Sequence, residues 1–232
     1  MEETVIPRPV PVSLAVQGTQ ARFPVRRIYC VGRNYAEHAR EMGDTGRTPP
    51  FFFGKPADAA LNVADGVEGV LPYPSMTHDL HHEIELVAAL GSGGRDLTPE
   101  QAAAAIWGYA IGLDMTRRDL QAEAKKAGRP WDTAKGFDHG AVLGPVHPAS
   151  ATGPLTSGRI TLSINGQARQ AGDLSDMIWS VPEAIAYLST LFELKAGDLI
   201  FTGTPAGVGA VAVGDQLRGE IDGLGALQVR IG

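Results

Sequence analysis

The chain has 232 residues, a length that suits one globular domain or at most two small ones. Its 44% hydrophobic and 20% charged residues are typical of an ordered globular protein, and a net charge of −6 without a Lys/Arg run argues against a nucleic-acid partner. No secretory signal and no membrane-spanning stretch is visible, so the sequence predicts a cytoplasmic protein without a membrane partner.

The predicted elements are mostly short strands separated by Gly and Pro. Residues 1–25 are expected to form an N-terminal arm with a few short strands, and residues 26–232 a single domain. In chain order the predicted elements are a strand at 27–31, a helix at 33–43, strands at 51–53 and 82–90, a helix opening at Thr98, a strand at 106–113, a helix at 116–126, a strand at 160–164, a helix from Ser180 to about residue 194, and a strand at 199–202. Strands dominate and the helices are few and peripheral, which favours a β-rich α+β fold over a doubly wound sheet.

Local signals support several of these elements. Ser180 and Glu183 have the spacing of a helix capping box, and Asn165-Gly166 is typical of a two-residue hairpin turn. No Gly-rich loop has the context of a nucleotide-binding motif. The single cysteine, Cys30, excludes an internal disulfide, and its apolar neighbours indicate a small buried residue.

Glu83 and Glu85 give the strongest chemical signal. Alternate residues of a strand share a face, so His81, Glu83 and Glu85 are expected to lie together. Two neighbouring carboxylates repel each other unless a cation lies between them or the face is solvated. Spacing alone therefore leaves two interpretations open, a metal-binding pair and two surface glutamates on an edge strand.

Asp114 favours the metal-binding interpretation. It ends the apolar segment 106–113, which is expected to be a buried strand, and a charge at the end of a buried strand needs a partner. Together with Glu83 and Glu85 it would provide an all-oxygen site, which suits Mg²⁺ or Mn²⁺ better than Zn²⁺. His81 is interpreted as a neighbour of this site or a surface residue rather than a ligand.

Five motifs carry a family resemblance. In chain order they are Gly32-Arg33-Asn34-Tyr35, His82-Glu83-Ile84-Glu85-Leu86, the segment 114–121, Lys135-Gly136-Phe137-Asp138 and Thr202-Gly203-Thr204-Pro205. Their order and spacing resemble the catalytic domain of the fumarylacetoacetate hydrolase family from about residue 26 to the end. Residues 51–56 and 172–179 are similar to its fumarylpyruvate and acylpyruvate hydrolase branch. The resemblance implies a mixed β-sheet roll with few peripheral helices, and a homodimer.

The resemblance also implies roles for individual residues. The implied metal ligands, for one Mg²⁺ or Mn²⁺ per subunit, are Glu83, Glu85 and Asp114. The implied substrate-contacting residues are Arg33, Arg118, Gln121, Lys135 and Thr204. Within that set, Lys135 would stabilise a developing enolate, Thr204 would bind the substrate carboxylate, and Arg118 would orient the metal ligands. A fourth carboxylate of larger family members has no match, so waters would complete the coordination.

His38 and Glu41 are three residues apart, so on a helix their side chains can touch. By spacing alone they would be a surface pair, whereas the resemblance implies a dyad that activates water. The polar Gly/Pro stretch that follows predicts a lid over residues 35–50 that orders when substrate binds. The segment around Lys135 is a loop by pattern. The three tryptophans, Trp107, Trp131 and Trp179, are interpreted as core or interface residues.

The implied reaction is cleavage of the C–C bond of a small 2,4-dioxo acid, such as fumarylpyruvate, to pyruvate and a carboxylic acid such as fumarate. One alternative is an oxaloacetate decarboxylase or isomerase on the same metal site. Another is a non-catalytic member that binds small acids. Retention of Lys135, His38 and Glu41 argues against the non-catalytic alternative, and a panel of substrates separates the other two.

Overall fold

A computed structural model describes residues 4–7, 9–35 and 48–232. Its strands are β1 (Ser13–Ala15), β2 (Arg22–Pro24), β3 (Arg27–Gly32), β4 (Phe51–Lys55), β5 (Ala60–Asn62), β6 (Glu68–Leu71), β7 (Leu80–His82), β8 (Ile84–Leu90), β9 (Ile106–Asp114), β10 (Thr116–Arg117), β11 (Ala141–Leu143), β12 (His147–Pro148), β13 (Arg159–Ile164), β14 (Gln167–Asp173), β15 (Asp198–Phe201), β16 (Gly209–Ala210), β17 (Gln216–Ile221) and β18 (Gly225–Ile231). Its α-helices are α1 (Pro99–Ala105), α2 (Arg118–Ala127), α3 (Asp132–Lys135), α4 (Ala149–Thr152) and α5 (Val181–Leu191).

A central mixed sheet organises the molecule. Its strand order is β4-β3-β15-β8-β9-β11-β5, with β12 paired to β9. The β15–β3 and β11–β5 pairs are parallel and the others are antiparallel. Strands β8 and β9 lie in the middle, and their residues are almost all buried. Such runs are typical of strands that are covered on both faces.

Three smaller sheets complete the fold. A five-stranded sheet has the order β14-β13-β17-β18-β6, and the three short strands β10, β7 and β16 form another sheet. The β1–β2 hairpin is the third. The hairpin turn between β13 and β14 contains Asn165 and Gly166, both with positive φ, as the sequence predicts.

Each face of the central sheet packs into its own hydrophobic cluster. On one face Ile84, Leu86 and Leu113 pack with residues of the five-stranded sheet. On the other face Val87 and Phe201 pack with the β1–β2 hairpin. The sheets approach closely, since a Cβ on Gly219 of β17 would lie 2.7 Å from Ile84 Cδ1. An alanine at this position would therefore require the Ile84 side chain to shift.

The predicted fold class is confirmed, and the few helices are short and lie around the sheets. The strand predicted over residues 82–90 is interrupted at Glu83, because β7 pairs with β10 and β16 whereas β8 enters the central sheet. The helix predicted from residue 116 begins at Arg118, since Thr116 and Arg117 pair with β7. The helix from Ser180 ends at Leu191, short of the predicted residue 194.

Other predictions at the N-terminal side have mixed outcomes. The strand at 51–53 exists but is not buried, since Phe51 keeps 38% of its surface exposed. Cys30 is buried, as predicted. Most of the predicted helix at 33–43 and of the predicted lid at 35–50 lies outside the described residues.

Within the described part of the chain, no helix is both long and apolar enough to span a membrane.

Candidate active site

Three buried carboxylates meet at one end of the central strands, where β8 begins and β9 ends. Glu83 occupies the break between β7 and β8, Glu85 is the second residue of β8, and Asp114 ends β9. The antiparallel register joins them, because the N–H of Asp114 donates to the carbonyl of Glu83 at 2.9 Å. One oxygen from each carboxylate lies within 4.8 Å of the others, and the residues are 6%, 2% and 0% exposed. The predicted cluster of three carboxylates therefore forms in the folded chain.

Lys135 and Arg118 hold this cluster together. The Lys135 ammonium donates to Glu83 Oε2 at 2.9 Å and to Asp114 Oδ2 at 2.8 Å. Arg118, at the start of α2, donates to Glu83 Oε1 and to Gln121 Oε1. Its Nε also donates to Nδ1 of His81 at 3.3 Å, so Arg118 links His81 to the cluster.

Lys55 provides a third buried cation. Its Nζ lies 2.8 Å from Asp114 Oδ1, and it donates to the carbonyls of Met115, at 3.1 Å, and of Lys135. The Lys55 side chain is fully buried. It thus fixes both the backbone of the Lys135 helix and one side of the carboxylate cluster.

The two glutamates have opposite electrostatic environments. Burial would raise the pKa of Glu83, but the positive charges of Lys135 and Arg118 outweigh it and hold that pKa well below its usual range. Burial and the charges of Asp114 and Glu83 raise the pKa of Glu85 well above its usual range, although the N–H of Gly203 donates to Glu85 Oε2 at 2.7 Å. Of the two glutamates, Glu85 therefore has less positive charge near it to balance its own.

A small polar pocket opens at the cluster. Its free space is about 30 Å³, enough for an ion and little more. Asp114 Oδ1 accepts no hydrogen bond from a described residue despite its proximity to Lys55, so this buried oxygen retains lone pairs for a ligand. Three converging oxygens of hard character fit a divalent cation such as Mg²⁺ or Mn²⁺. The residues present therefore suit the predicted metal.

The hydroxyl of Thr204 is fully engaged inside the protein. It donates to the carbonyl of Ile84 at 2.6 Å and accepts from Gln170 Nε2 at 2.8 Å. Gln170 Oε1 in turn bonds the N–H of Ile84 and Nδ1 of the buried His82. Because a hydroxyl has one proton, this side chain has none left for a substrate carboxylate. Thr204 lines the pocket, and contact with a carboxylate there would fall to its backbone.

Two of the sequence motifs pack directly on each other. The Asn34 amide donates to the carbonyls of Trp179 and Thr202 and accepts from the N–H of Trp179. Gly203 has φ +99°, and a Cβ there would lie 2.7 Å from Cβ of Asn34. A glycine is therefore required at this point of the pocket wall.

Aromatic residues form the outer wall of the site. Phe51 and Phe53 pack against Trp131, with ring centroids 5.6 Å and 5.7 Å apart. These three residues line the polar pocket and also an adjoining pocket of about 370 Å³. Trp131 is half-buried and lines both pockets, so it is not a core residue.

The structure brings most of the predicted site residues together. The small pocket is lined by Glu83, Glu85, Asp114, Arg33, Arg118, Gln121, Lys135 and Thr204. The sequence predicts a loop around Lys135, but Lys135 is buried on the one-turn helix α3. His38 and Glu41 lie outside the described residues. Lys55 was missed, although the alternation Phe51, Phe53, Lys55 along β4 places its side chain on the same face as two pocket residues.

Replacement of Lys55 is expected to destabilise the protein. Lys55→Met removes a buried cation beside Asp114 and the donor to two buried carbonyls, so the free energy of unfolding should fall by about 3 kcal/mol. Urea unfolding followed by circular dichroism measures this change. Lys126→Met, on the exposed surface of α2, is the matched control and should change stability little. A loss equal to that of the control would contradict the structural role of Lys55.

Comparison with known proteins agrees with this geometry. Residues 27–232 match the family model described as fumarylacetoacetate (FAA) hydrolase C-terminal. The chain therefore belongs to the fumarylacetoacetate hydrolase family, a class of enzymes, as its motifs predict.

Individual relatives carry different activities. The crystal structure of fumarylpyruvate hydrolase from Pseudomonas aeruginosa, in complex with Mn²⁺ and pyruvate, is 55% identical, with a TM-score of 0.97 and 99% of each chain covered. A fumarylpyruvate hydrolase from Ralstonia sp is 46% identical over 160 residues, 69% of this chain and 83% of the relative. An oxaloacetate tautomerase from Escherichia coli is 42% identical over 208 residues, 89% of this chain and 93% of the relative.

Proposed function

We propose that this protein is a divalent-metal-dependent hydrolase that cleaves an acylpyruvate, with fumarylpyruvate as the substrate, to pyruvate and a carboxylic acid. The observation that carries the proposal is the buried cluster of Glu83, Glu85 and Asp114 with the Lys135 ammonium bonded to two of the three. The similarity to a fumarylpyruvate hydrolase that holds Mn²⁺ and pyruvate supports the same assignment.

The charges of the site suit a doubly negative intermediate. With a divalent cation bound, all three carboxylates would be ionised, and the buried or half-buried cations Lys55, Lys135 and Arg118 would balance their charge. A divalent cation would add two positive charges. The enolate of pyruvate, with its carboxylate, carries two negative charges. The charges of the site are therefore best balanced when the C–C bond has broken and the enolate is bound. Stabilisation of this charge as it develops lowers the barrier of the cleavage step.

The proposed reaction assigns steps to residues of this chain. The divalent cation supplies Lewis-acid polarisation of the 2-keto group. His38, supported by Glu41, takes a proton from water, and the water oxygen adds to the C4 carbonyl carbon. The C3–C4 bond then breaks and its electron pair passes to C3, which gives the pyruvate enolate. Lys135 stabilises the enolate oxygen, and the proton held by His38 passes to C3 to give pyruvate. The acyl half leaves as a carboxylic acid, which loses its proton to water.

Oxaloacetate chemistry is the second candidate. It is favoured by the 42% identity to an oxaloacetate tautomerase, which extends over 89% of this chain. Tautomerisation or decarboxylation of oxaloacetate also passes through an enolate but adds no water, so it does not need a hydrolytic base. The same carboxylates and Lys135 would serve it.

A side-by-side assay decides between the candidates. Fumarylpyruvate, acetylpyruvate and oxaloacetate should be compared with Mg²⁺ and with Mn²⁺, and both pyruvate release and the keto–enol conversion of oxaloacetate, followed by its enol absorbance, should be measured. We expect kcat/KM to be highest for an acylpyruvate. Turnover of oxaloacetate alone would overturn the proposed function. The resemblance also leads us to propose a homodimer, which light scattering of the purified protein tests.

A further inference from the structure

We infer that the aromatic pocket beside the carboxylate cluster is the acyl-group subsite, and that Arg129 selects acyl chains that end in a second carboxylate. This inference rests on the proposed function, because it assigns the half of the substrate that the metal site does not hold. It names the residue that would distinguish acyl groups with a second carboxylate from acyl groups without one.

The two pockets are continuous. Phe51, Phe53, Trp131 and Lys135 line both of them. Along β4, alternate side chains lead outward from the cluster. Lys55 lies beside Asp114, and the Phe53 ring centroid lies 4.9 Å from Lys135 Nζ. Phe51 lies at the outer end, where its centroid is 5.8 Å from the Arg33 guanidinium carbon. A substrate whose enolate half meets Lys135 therefore extends its acyl half along these rings.

The shape and chemistry of the outer pocket suit a flat chain. Its volume of about 370 Å³ is much larger than the 30 Å³ of the polar pocket. Phe51 meets Trp131 nearly edge-on, at 83°, and Phe53 meets it at 59°. Aromatic walls of this kind favour planar conjugated groups, which stack or pack edge-to-face at little entropic cost.

Arg129 provides a cation in the lining of the outer pocket. It lies two residues before Trp131, so their Cα atoms are at most about 7 Å apart. Its guanidinium forms no hydrogen bond or ion pair with any residue that the structure describes, and it lines the outer pocket but not the polar one. Asp132 also lines the outer pocket but forms no ion pair with Arg129. A guanidinium is well suited to bind a carboxylate with two parallel hydrogen bonds.

The charges that line the two pockets are mixed. In the polar pocket Arg33, Arg118 and Lys135 are matched by the three carboxylates of the cluster. In the outer pocket Arg129 lies with Asp132 and with Lys135, and Lys135 is already bonded to Glu83 and Asp114. A second substrate carboxylate that reaches the outer pocket would therefore be attracted by the Arg129 guanidinium.

A comparison of two substrates tests the inference. Fumarylpyruvate carries the second carboxylate and acetylpyruvate does not. Arg129→Gln should lower kcat/KM for fumarylpyruvate about tenfold, mainly through KM, because a charge-assisted contact is lost. The value for acetylpyruvate should change less than about twofold. Arg129→Lys should restore part of the loss. Arg95→Gln, which removes an exposed arginine away from both pockets, is the matched control and should affect neither substrate.

Binding of small acids provides a readout that does not depend on turnover. Fumarate and crotonate differ only in that a methyl group of crotonate replaces one carboxylate, and calorimetry measures both affinities. Arg129→Gln should weaken the binding of fumarate but leave the binding of crotonate unchanged. Equal effects on both acids, or a selective loss in Arg33→Gln instead, would overturn the inference. If wild type binds fumarate through Arg129 but hydrolyses neither acylpyruvate, the proposed function fails while the subsite stands.

Discussion

Removal of divalent cations is expected to abolish acylpyruvate hydrolysis, with a loss of more than about a thousandfold in kcat. The physical reason is the composition of the site. Glu83, Glu85 and Asp114 converge within 4.8 Å, and the donor set contains only oxygen. The protein should be treated with a chelator, dialysed, and assayed for pyruvate release before and after addition of Mg²⁺ or Mn²⁺. Either ion should restore activity.

Two controls make this result specific. Circular dichroism should show that the metal-free protein remains folded, because Lys135 and Arg118 neutralise Glu83 without a metal. Glu83→Gln removes one hard anionic ligand, so it should raise the metal concentration needed for half-maximal activity. Full activity in protein shown by elemental analysis to contain no metal would disprove the metal requirement.

Replacement of His38 is expected to lower kcat for an acylpyruvate by about a hundred- to ten-thousandfold, with a much smaller change in KM. Hydrolysis needs a hydroxide equivalent at the C4 carbonyl, and an imidazole with an ordinary pKa of about 6.5 takes a proton from water reversibly near neutrality. The test is His38→Ala, with Glu41→Gln expected to give a smaller loss, since Glu41 only supports the base.

Oxaloacetate provides the internal control for His38. Tautomerisation and decarboxylation add no water, so His38→Ala should impair them far less than acylpyruvate hydrolysis. Steady-state kinetics on both substrates with the same protein preparation measure the difference. Hydrolysis near the wild-type rate would show that the dyad assignment is wrong and that the nucleophile is activated elsewhere in the site.

The carboxylate cluster was predictable because its signals are local. Glu83 and Glu85 show the two-residue period of a strand, and Asp114 ends a run of apolar residues. Both patterns persist in the folded chain. The interruption at Glu83 was not predictable, because the alternation of side chains continues from residue 80 to residue 86. Only the pairing of β7 with β10 and β16 breaks the strand.

The surroundings of the cluster depend on contacts between distant segments. Lys55 and Lys135 are 80 residues apart, and each would be a solvated surface lysine by pattern. Gln170 lies in β14 and Thr204 in the loop after β15, 34 residues later, so nothing near Thr204 in the sequence indicates that its hydroxyl is already engaged. Strand periodicity does place Phe51, Phe53 and Lys55 on one face, and that signal was available from the sequence.

The meeting of Glu83 and Asp114 across β8 and β9 has a consequence for folding. These residues are 31 positions apart, and Gly203, whose N–H bonds Glu85, lies 118 positions beyond it. A cation-binding geometry built from such distant segments exists only after the long-range pairings have formed, late in folding. An ion that binds only the native chain would raise the free energy of unfolding with the logarithm of the ion concentration, by about 2.7 kcal/mol at a hundred times its dissociation constant. The fraction of folded molecules, as well as their activity, would then depend on the supply of the metal.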